Sequence, residues 1–201
     1  KDRTTTSRAP RPLVDLRDLT IADGMITIRE RPAPDSLRVR VLTAVNADFA
    51  RLRPSHPDSA AIVGMIRKLS ARLDNPSLVV LDAKGDFAVD GDSLRFALEH
   101  ILLPHSQVHA AGLLRWGGAH TALDAAINAA RFDVADLHGA APSLPKDGTG
   151  SARLHVLLTA DGAAVIDLAN GELRSGRSFA QGKGIFTVGP RGDVSVRGMD
   201  L

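Results

Sequence analysis

The stretch that indicates the fold most clearly is Ser106-Gln107-Val108-His109-Ala110-Ala111-Gly112-Leu113-Leu114-Arg115-Trp116. Apolar or small residues stand at every second position, namely Val108, Ala110, Gly112, Leu114 and Trp116. Between them lie Gln107, His109 and Arg115. A period of two is typical of a β-strand with one apolar and one solvated face. The stretch therefore predicts a half-buried strand of about 36 Å, at about 3.3 Å per residue.

The same alternation recurs along most of the chain. We predict strands over 37–41, 77–82, 86–90, 93–103, 106–116, 120–132, 151–159, 163–169, 172–188 (broken at its glycines) and 193–199. Short turn-forming segments separate them: Ala22-Asp23-Gly24, Ala83-Lys84-Gly85-Asp86, Asp90-Gly91, Pro104-His105, Gly117-Gly118, Asp161-Gly162, Asn170-Gly171 and Arg191-Gly192. Such residues favour tight connections between neighbouring strands. The pattern predicts one long antiparallel meander.

One segment, 58–73, departs from this rhythm. Its apolar residues recur at intervals of three and four, as on one face of a helix: Ile62, Met65, Ile66, Leu69 and Leu73. Asp58 or Ser59 is a suitable N-cap, and Asn75-Pro76 a suitable stop. We predict one short amphipathic helix here, which caps or plugs the end of the sheet. A helix on a membrane surface is the alternative.

The predicted apolar sheet face has no set of helices to cover it. Ala and Gly are frequent at inward positions, which favours a curled sheet with an open groove over a filled barrel. The fold class is therefore all-β: a long antiparallel meander curled into an open β-groove. The predicted lining is Leu94, Phe96, Leu98, Val108, Leu114, Trp116, Leu123, Ile127, Leu154, Val156, Leu158, Ile166 and Leu168.

Composition argues against several partners and sites. The net charge is only +2 and aromatic residues make up 3% of the chain, which disfavours binding of nucleic acid through a basic patch or base stacking. There is no Cys, so disulfides and thiolate metal sites are excluded. No run approaches the ~18 apolar residues of a membrane-spanning helix. Residues 1–12 indicate a polar tail or linker, and 13–201 a single β-groove segment of a longer protein.

Three passages share a hairpin or junction pattern: Val14-Asp15-Leu16-Arg17-Asp18-Leu19-Thr20-Ile21-Ala22-Asp23-Gly24-Met25-Ile26, Leu102-Leu103-Pro104-His105-Ser106-Gln107-Val108 running on to Gly112, and Phe132-Asp133-Val134-Ala135-Asp136-Leu137-His138 leading to Pro142-Ser143-Leu144-Pro145-Lys146-Asp147-Gly148. These passages resemble hairpins and junctions of the AsmA/TamB-like family of envelope proteins. The order of these passages and the strand rhythm carry the resemblance, which covers 13–201.

The resemblance implies a repeating β-groove, the "β-taco", in a periplasmic protein held to the inner membrane by an anchor outside this fragment. It implies phospholipid transport between membranes or outer-membrane assembly, with phospholipid acyl chains and outer-membrane assembly proteins as partners. It offers no catalytic residues and no cofactor. The runner-up function is a structural or adhesive β-solenoid with a self-filled core.

An enzyme is the third possibility. His100, His105, His109 and His120 lie close together in sequence, but no carboxylate pattern accompanies them, so we expect solvated surface histidines and no metal site. Ser106 lacks a Gly-x-Ser-x-Gly context. Gly182-Lys183-Gly184 and Gly189-Pro190-Arg191-Gly192 do not precede a helix and indicate turns or bulges. We therefore expect no catalytic residue.

Overall fold

A computed structural model describes residues 15–33, 36–54, 61–74, 77–117, 121–138, 147–159, 162–189 and 194–200. The tail predicted over 1–12 lies outside the described residues. The bounds of the elements are β1 Leu16–Ala33, β2 Ser36–Pro54, β3 Ile62–Leu73, β4 Leu78–Val80, β5 Asp82–Asp90, β6 Ser93–Leu102, β7 Gln107–Arg115, β8 Ala122–Asp133, α1 Val134–Leu137, β9 Thr149–Leu158, β10 Ala164–Ser175, β11 Ser178–Val188 and β12 Val194–Asp200.

The strands form one antiparallel sheet in the order β1-β2-β3-β5-β6-β7-β8-β9-β10-β11-β12, with β4 also paired to β3. Neighbours in the sheet are neighbours along the chain, because β4 and β5 are two parts of one strand interrupted at Leu81. The sheet is open, with β1 and β12 at its edges. The predicted fold class, an all-β meander forming an open, curled groove, is confirmed.

The helix predicted within 58–73 is wrong, because residues 62–73 form strand β3. A β-bulge explains the error. Ile66 pairs with Phe49, whereas Leu69 pairs with Ala47, so β3 carries one extra residue between these two pairs. The bulge shifts the alternation by one position and brings Ile66 and Leu69, three residues apart, to the same face. Residues 55–60, which include the predicted N-cap, lie outside the described residues.

Three predicted turns are also wrong, for a related reason. Ala22-Asp23-Gly24 and Asn170-Gly171 lie within β1 and β10, at register shifts of the ladder. Ala83-Lys84-Gly85-Asp86 lies within β5, with a register shift between Lys84 and Gly85. Residues that favour unusual backbone angles serve β-bulges as well as turns, so composition alone does not distinguish the two. The connection between β10 and β11 is instead Gly176-Arg177, with Gly176 at φ 57°.

Candidate functional site

One face of the sheet is built from continuous apolar rows that cross the strands. Strand register aligns one row as Leu16, Leu52, Gly64, Phe87, Phe96, Gly112, Ala125, Val156, Ile166, Phe186 and Val196. A second row contains Leu19, Phe49, Ile66, Gly85, Leu98, Ala110, Ile127, Leu154, Leu168 and Gly184. We call this surface the inner face.

The predicted lining residues share this inner face, with one exception. A third row joins Leu94, Leu114, Leu123 and Leu158, and Val108 pairs with Ile101 on the next row towards the other end of the strands. Trp116 follows the last residue of β7. Its backbone N–H donates to the Asp92 carbonyl at 2.8 Å, and the residue is 38% exposed. The register thus aligns the predicted residues from Leu94 to Leu168 and leaves Trp116 at the rim.

The inner face lacks the burial of a filled core. Leu98, Leu114, Ile127, Leu154 and Val156 are each half-buried. Fully buried apolar positions on this face are mainly small or lie near bulges, such as Ala125 and Ile66. Within the described part of the chain, no second sheet or long helix covers the rows. The result is a large apolar surface with room above it.

Sequence reasoning missed the part of this face carried by β2, β3 and β5. The rings of Phe49 and Phe87 meet edge to face with centroids 5.9 Å apart. Gly64 lies between their strands, and a Cβ there would lie 2.5 Å from the Phe87 ring and 2.6 Å from a Leu52 methyl group. The Phe87 ring and the Leu52 methyl group therefore occupy the space that a side chain at position 64 would fill. In the sequence, the alternation of Phe87 and Val89 indicates the part of this face that β5 carries.

An apolar hollow interrupts the inner face on β9, β10 and β11. It has a volume of about 220 Å³. Its floor lies where Ala152, Gly171 and Gly182 are aligned across the three strands and present little or no side chain. Larger apolar residues surround it, namely Phe132, Leu168, Leu173 and Phe186. Small residues set among large ones leave space for a flexible apolar chain.

At one end of the strands, α1 and the loop between β6 and β7 form a cap on the open sheet. Val134, at the start of α1, is 1% exposed, and Leu103 in the loop is 6% exposed. The helix contacts β4 as well as β8, although β6 and β7 lie between these strands in the sheet. The capping role that we predicted for 58–73 is thus taken by a segment for which we predicted no helix.

A polar cluster holds this cap in place. The Ser106 hydroxyl donates to Asp136 Oδ2 at 2.6 Å and accepts from the Asp133 N–H at 2.9 Å. The His105 N–H donates to Asp136 Oδ2 at 2.9 Å, and His105 Nδ1 lies 3.1 Å from Asp136 Oδ1. The Asp136 side chain is 2% exposed and Ser106 is 3% exposed. Because Ser106 bonds the carboxylate and not an imidazole, this is not the geometry of a nucleophile and its base.

The opposite face, which we call the outer face, carries paired charges. Arg51 binds Asp15 through two hydrogen bonds of 2.8 and 2.6 Å. Arg67 pairs with Asp18 and, at 3.3 Å, with Asp48. The hydrogen bond from Arg51 lowers the pKa of Asp15 below its ordinary value of 3.8, and nearby arginines add to the effect. These pairs join β1, β2 and β3 on the solvated side.

The predicted surface histidines behave differently from one another. His109 is exposed, as expected. His105 is also exposed, as expected, and bonds Asp136, whereas His100 is half-buried, with Nδ1 3.4 Å from the Gln107 amide nitrogen. His120 lies outside the described residues. In the described part of the chain, no three His, Asp or Glu side chains converge as metal ligands would.

Comparisons of the chain with protein-family models, with curated proteins and with solved structures find no match. None of the helices among the described residues has the length and apolar character needed to cross a bilayer. The inner face therefore has to be interpreted from its own geometry and chemistry.

Proposed function

We propose that this chain is a periplasmic β-groove segment of an AsmA/TamB-like envelope protein, and that its inner face holds phospholipid acyl chains. The chains would be in transit between membranes or in use during outer-membrane assembly. One observation carries the proposal: rows of apolar residues and glycines, few of them fully buried, cross ten or more consecutive strands with no layer above them among the described residues.

The chemistry of the inner face suits acyl chains better than a shaped ligand. Each methylene removed from water contributes about 0.8 kcal/mol wherever it lies on the apolar surface. Leu, Ile, Val and Phe along the rows provide area but no directional hydrogen bonds. A lipid can therefore move along the groove without breaking strong specific contacts, as transport requires. The inner-face hollow beside Leu168 and Phe186 adds space for a chain segment.

A structural domain with a self-filled core is the competing function. The half-burial of the inner rows supports lipid binding over a self-filled core, because side chains that fill a core are close-packed. The strands also pair antiparallel throughout the described sheet, unlike the parallel coils of a β-helix.

The test is mass spectrometry of organic extracts from protein purified out of cells. We expect co-purified phospholipid. Leu114→Asp should reduce its recovery severalfold, because a carboxylate on the inner face is costly to dehydrate. Leu113→Asp is the matched control: Leu113 is the adjacent leucine on the outer face, paired with Arg95 on one side and Asp124 on the other.

Lipid recovery from the Leu113→Asp protein should stay close to that of the unaltered chain. Equal losses from both variants would reject the face assignment. Repeated absence of lipid from the unaltered protein would favour the self-filled structural domain.

A further inference from the structure

A two-stranded ribbon extends beyond the rest of the sheet. Residues 27–33 of β1 and 36–41 of β2 pair with each other, from Thr27 with Val41 to Ala33 with Ser36, and Met25 and Ile26 lie at the base of this ribbon, with Ile26 opposite Leu42. The ladder between β2 and β3 begins only at Leu42, which pairs with Leu73. Among the described residues, the ribbon therefore has no third strand. Isolated two-stranded ribbons are marginally stable in water, so this one gains from a partner.

The ribbon exposes large apolar side chains on both of its faces. Ile26 and Ile28 share one face and are 49% and 42% exposed. Met25 and Val39 lie on the opposite face and are 69% and 43% exposed. A folded protein packed on the ribbon would cover one face and leave the other in water. A lipid interface surrounds an inserted ribbon and covers both.

The charge of the ribbon favours an anionic surface. Its sequence from 25 to 41 contains four arginines, Arg29, Arg31, Arg38 and Arg40, against Glu30 and Asp35. In general, an arginine stem lies well along apolar surface while its guanidinium group stays at the level of lipid phosphates. Backbone groups at the ribbon edges have no ladder partner among the described strands, and such groups are costly in hydrocarbon. The depth that satisfies both constraints is the headgroup region.

We propose that this ribbon inserts into the headgroup region of a membrane that contains anionic phospholipid. The contact brings the β1 edge of the sheet to a bilayer. Its Met25 and Val39 side chains lie on the side opposite the inner face, whereas Ile26 shares the inner side with Leu42 and Leu73, beyond the two rows described above.

The test is co-flotation of the full chain with vesicles of two compositions. One contains phosphatidylcholine alone, and the other also contains about 30% phosphatidylglycerol, which supplies anionic lipid. We expect at least tenfold more bound protein with phosphatidylglycerol. Ile26→Asp with Ile28→Asp, and Met25→Asp with Val39→Asp, should each reduce binding about tenfold. The control pair, Phe179→Asp with Ile185→Asp, replaces side chains that are 54% and 40% exposed on β11 and lie outside the inner-face rows, and it should leave binding within twofold.

Each other outcome overturns the proposal in a distinct way. No flotation, or equal flotation without phosphatidylglycerol, rejects an anionic membrane surface. Loss from only one ribbon pair indicates a protein partner on that face. An equal loss of vesicle binding from the control pair would show that added negative charge alone repels the protein from the vesicles. Lipid extraction from the Met25→Asp with Val39→Asp variant separates this result from the proposed groove function, because these residues lie on the outer side and groove lipid should persist when flotation is lost.

A second measurement avoids charged substitutions that impair folding. Met25→Trp, combined with Trp116→Phe to remove the only native tryptophan, places a fluorophore on the ribbon. Brominated phosphatidylglycerol vesicles should quench its emission at least twofold. Emission unchanged by these vesicles would reject insertion of the ribbon.

Discussion

At the scale of single residues, the most constrained group in the molecule is the Asp136 carboxylate. It accepts hydrogen bonds from the Ser106 hydroxyl and the His105 N–H, and its side chain is 2% exposed. These bonds tie α1 to the loop between β6 and β7. Burial increases the contribution of these bonds to stability, because buried donors without a partner cannot form hydrogen bonds with bulk water.

We therefore expect Asp136→Ala to lower the free energy of unfolding by about 2–4 kcal/mol, since it leaves buried donors without an acceptor. Asp136→Asn should cost less, because its amide oxygen still accepts one bond. The matched control is Asp124→Ala, which removes an exposed pair with His155 and should cost below about 1 kcal/mol. Urea denaturation measures all three. Equal costs at positions 124 and 136 would contradict the structural role of the cluster.

The pairing of Asp15 with Arg51 leads to a prediction about pH. The hydrogen bond from Arg51 is the main reason that the pKa of Asp15 falls below 3.8 in the folded chain. A lowered folded pKa means that the stabilising effect is present above pH 3.8 and is lost as the pH falls through the folded value. Because the pair is exposed, its effect should be visible in titration more clearly than in stability.

We expect the NMR titration midpoint of the Asp15 carboxyl to lie below 3.8, and Arg51→Gln to raise it towards that value. Arg95→Gln is a control that removes an arginine from β6 without touching the pair, and it should leave the midpoint in place. An Asp15 midpoint unaffected by Arg51→Gln would show that the hydrogen bond is not formed in solution.

At the scale of elements, β3 shows where sequence reasoning succeeds and where it fails. The strands after Ser77 contain stretches of regular alternation between register shifts, and the predicted lining residues within these stretches share one face because each residue step changes the face. Along β3, an extra residue between Ile66 and Leu69 changes that relation and imitates the spacing of a helix. The bulge depends on pairing with Phe49 and Ala47 of another strand, and this long-range information is not visible in the local sequence.

The cap at α1 was not predicted for a similar reason. Its sequence was recognised as a junction before a new hairpin, but Ser106 and Asp136 are 30 residues apart. Only the fold brings them into contact. The predicted lining residues needed no such information, since those on each strand lie where alternation is regular and therefore share a face.

The two interpretations of 62–73 predict different effects for a pair of substitutions. A helix would place Met65 and Leu69 on the same apolar face, four residues apart. The bulged strand places Met65 on the outer face, 50% exposed, and Leu69 opposite the buried Ala47. We expect Met65→Ser to change the free energy of unfolding by at most about 0.5 kcal/mol and Leu69→Ser to lower it by about 2 kcal/mol. Similar costs at both positions in urea denaturation would contradict the bulge.

At the scale of the whole molecule, the proposed groove function predicts that stability depends on bound lipid. A ligand that binds only the folded chain raises stability by RT ln(1 + [L]/Kd). If acyl chains occupy the groove, removal of lipid should lower the melting temperature by a few degrees, from about 1–2 kcal/mol of lost binding free energy. Added phospholipid should restore it.

Differential scanning calorimetry of the delipidated and reloaded protein measures this change. The Leu114→Asp variant supplies the control: its melting temperature should respond little to added lipid. A melting temperature that is the same with and without lipid in the unaltered chain would argue that the inner face is not the binding surface.

Each strand of the sheet lies beside the one that precedes it in the chain. The length of the sheet is therefore proportional to its number of strands. Every added hairpin lengthens such a sheet by two strand spacings, about 9–10 Å, and requires no rearrangement elsewhere. The distance that the structure spans can therefore be set by the number of hairpins encoded in the gene. Duplication or loss of one hairpin unit would change that distance in discrete steps, while the cross-section of the inner face stays the same.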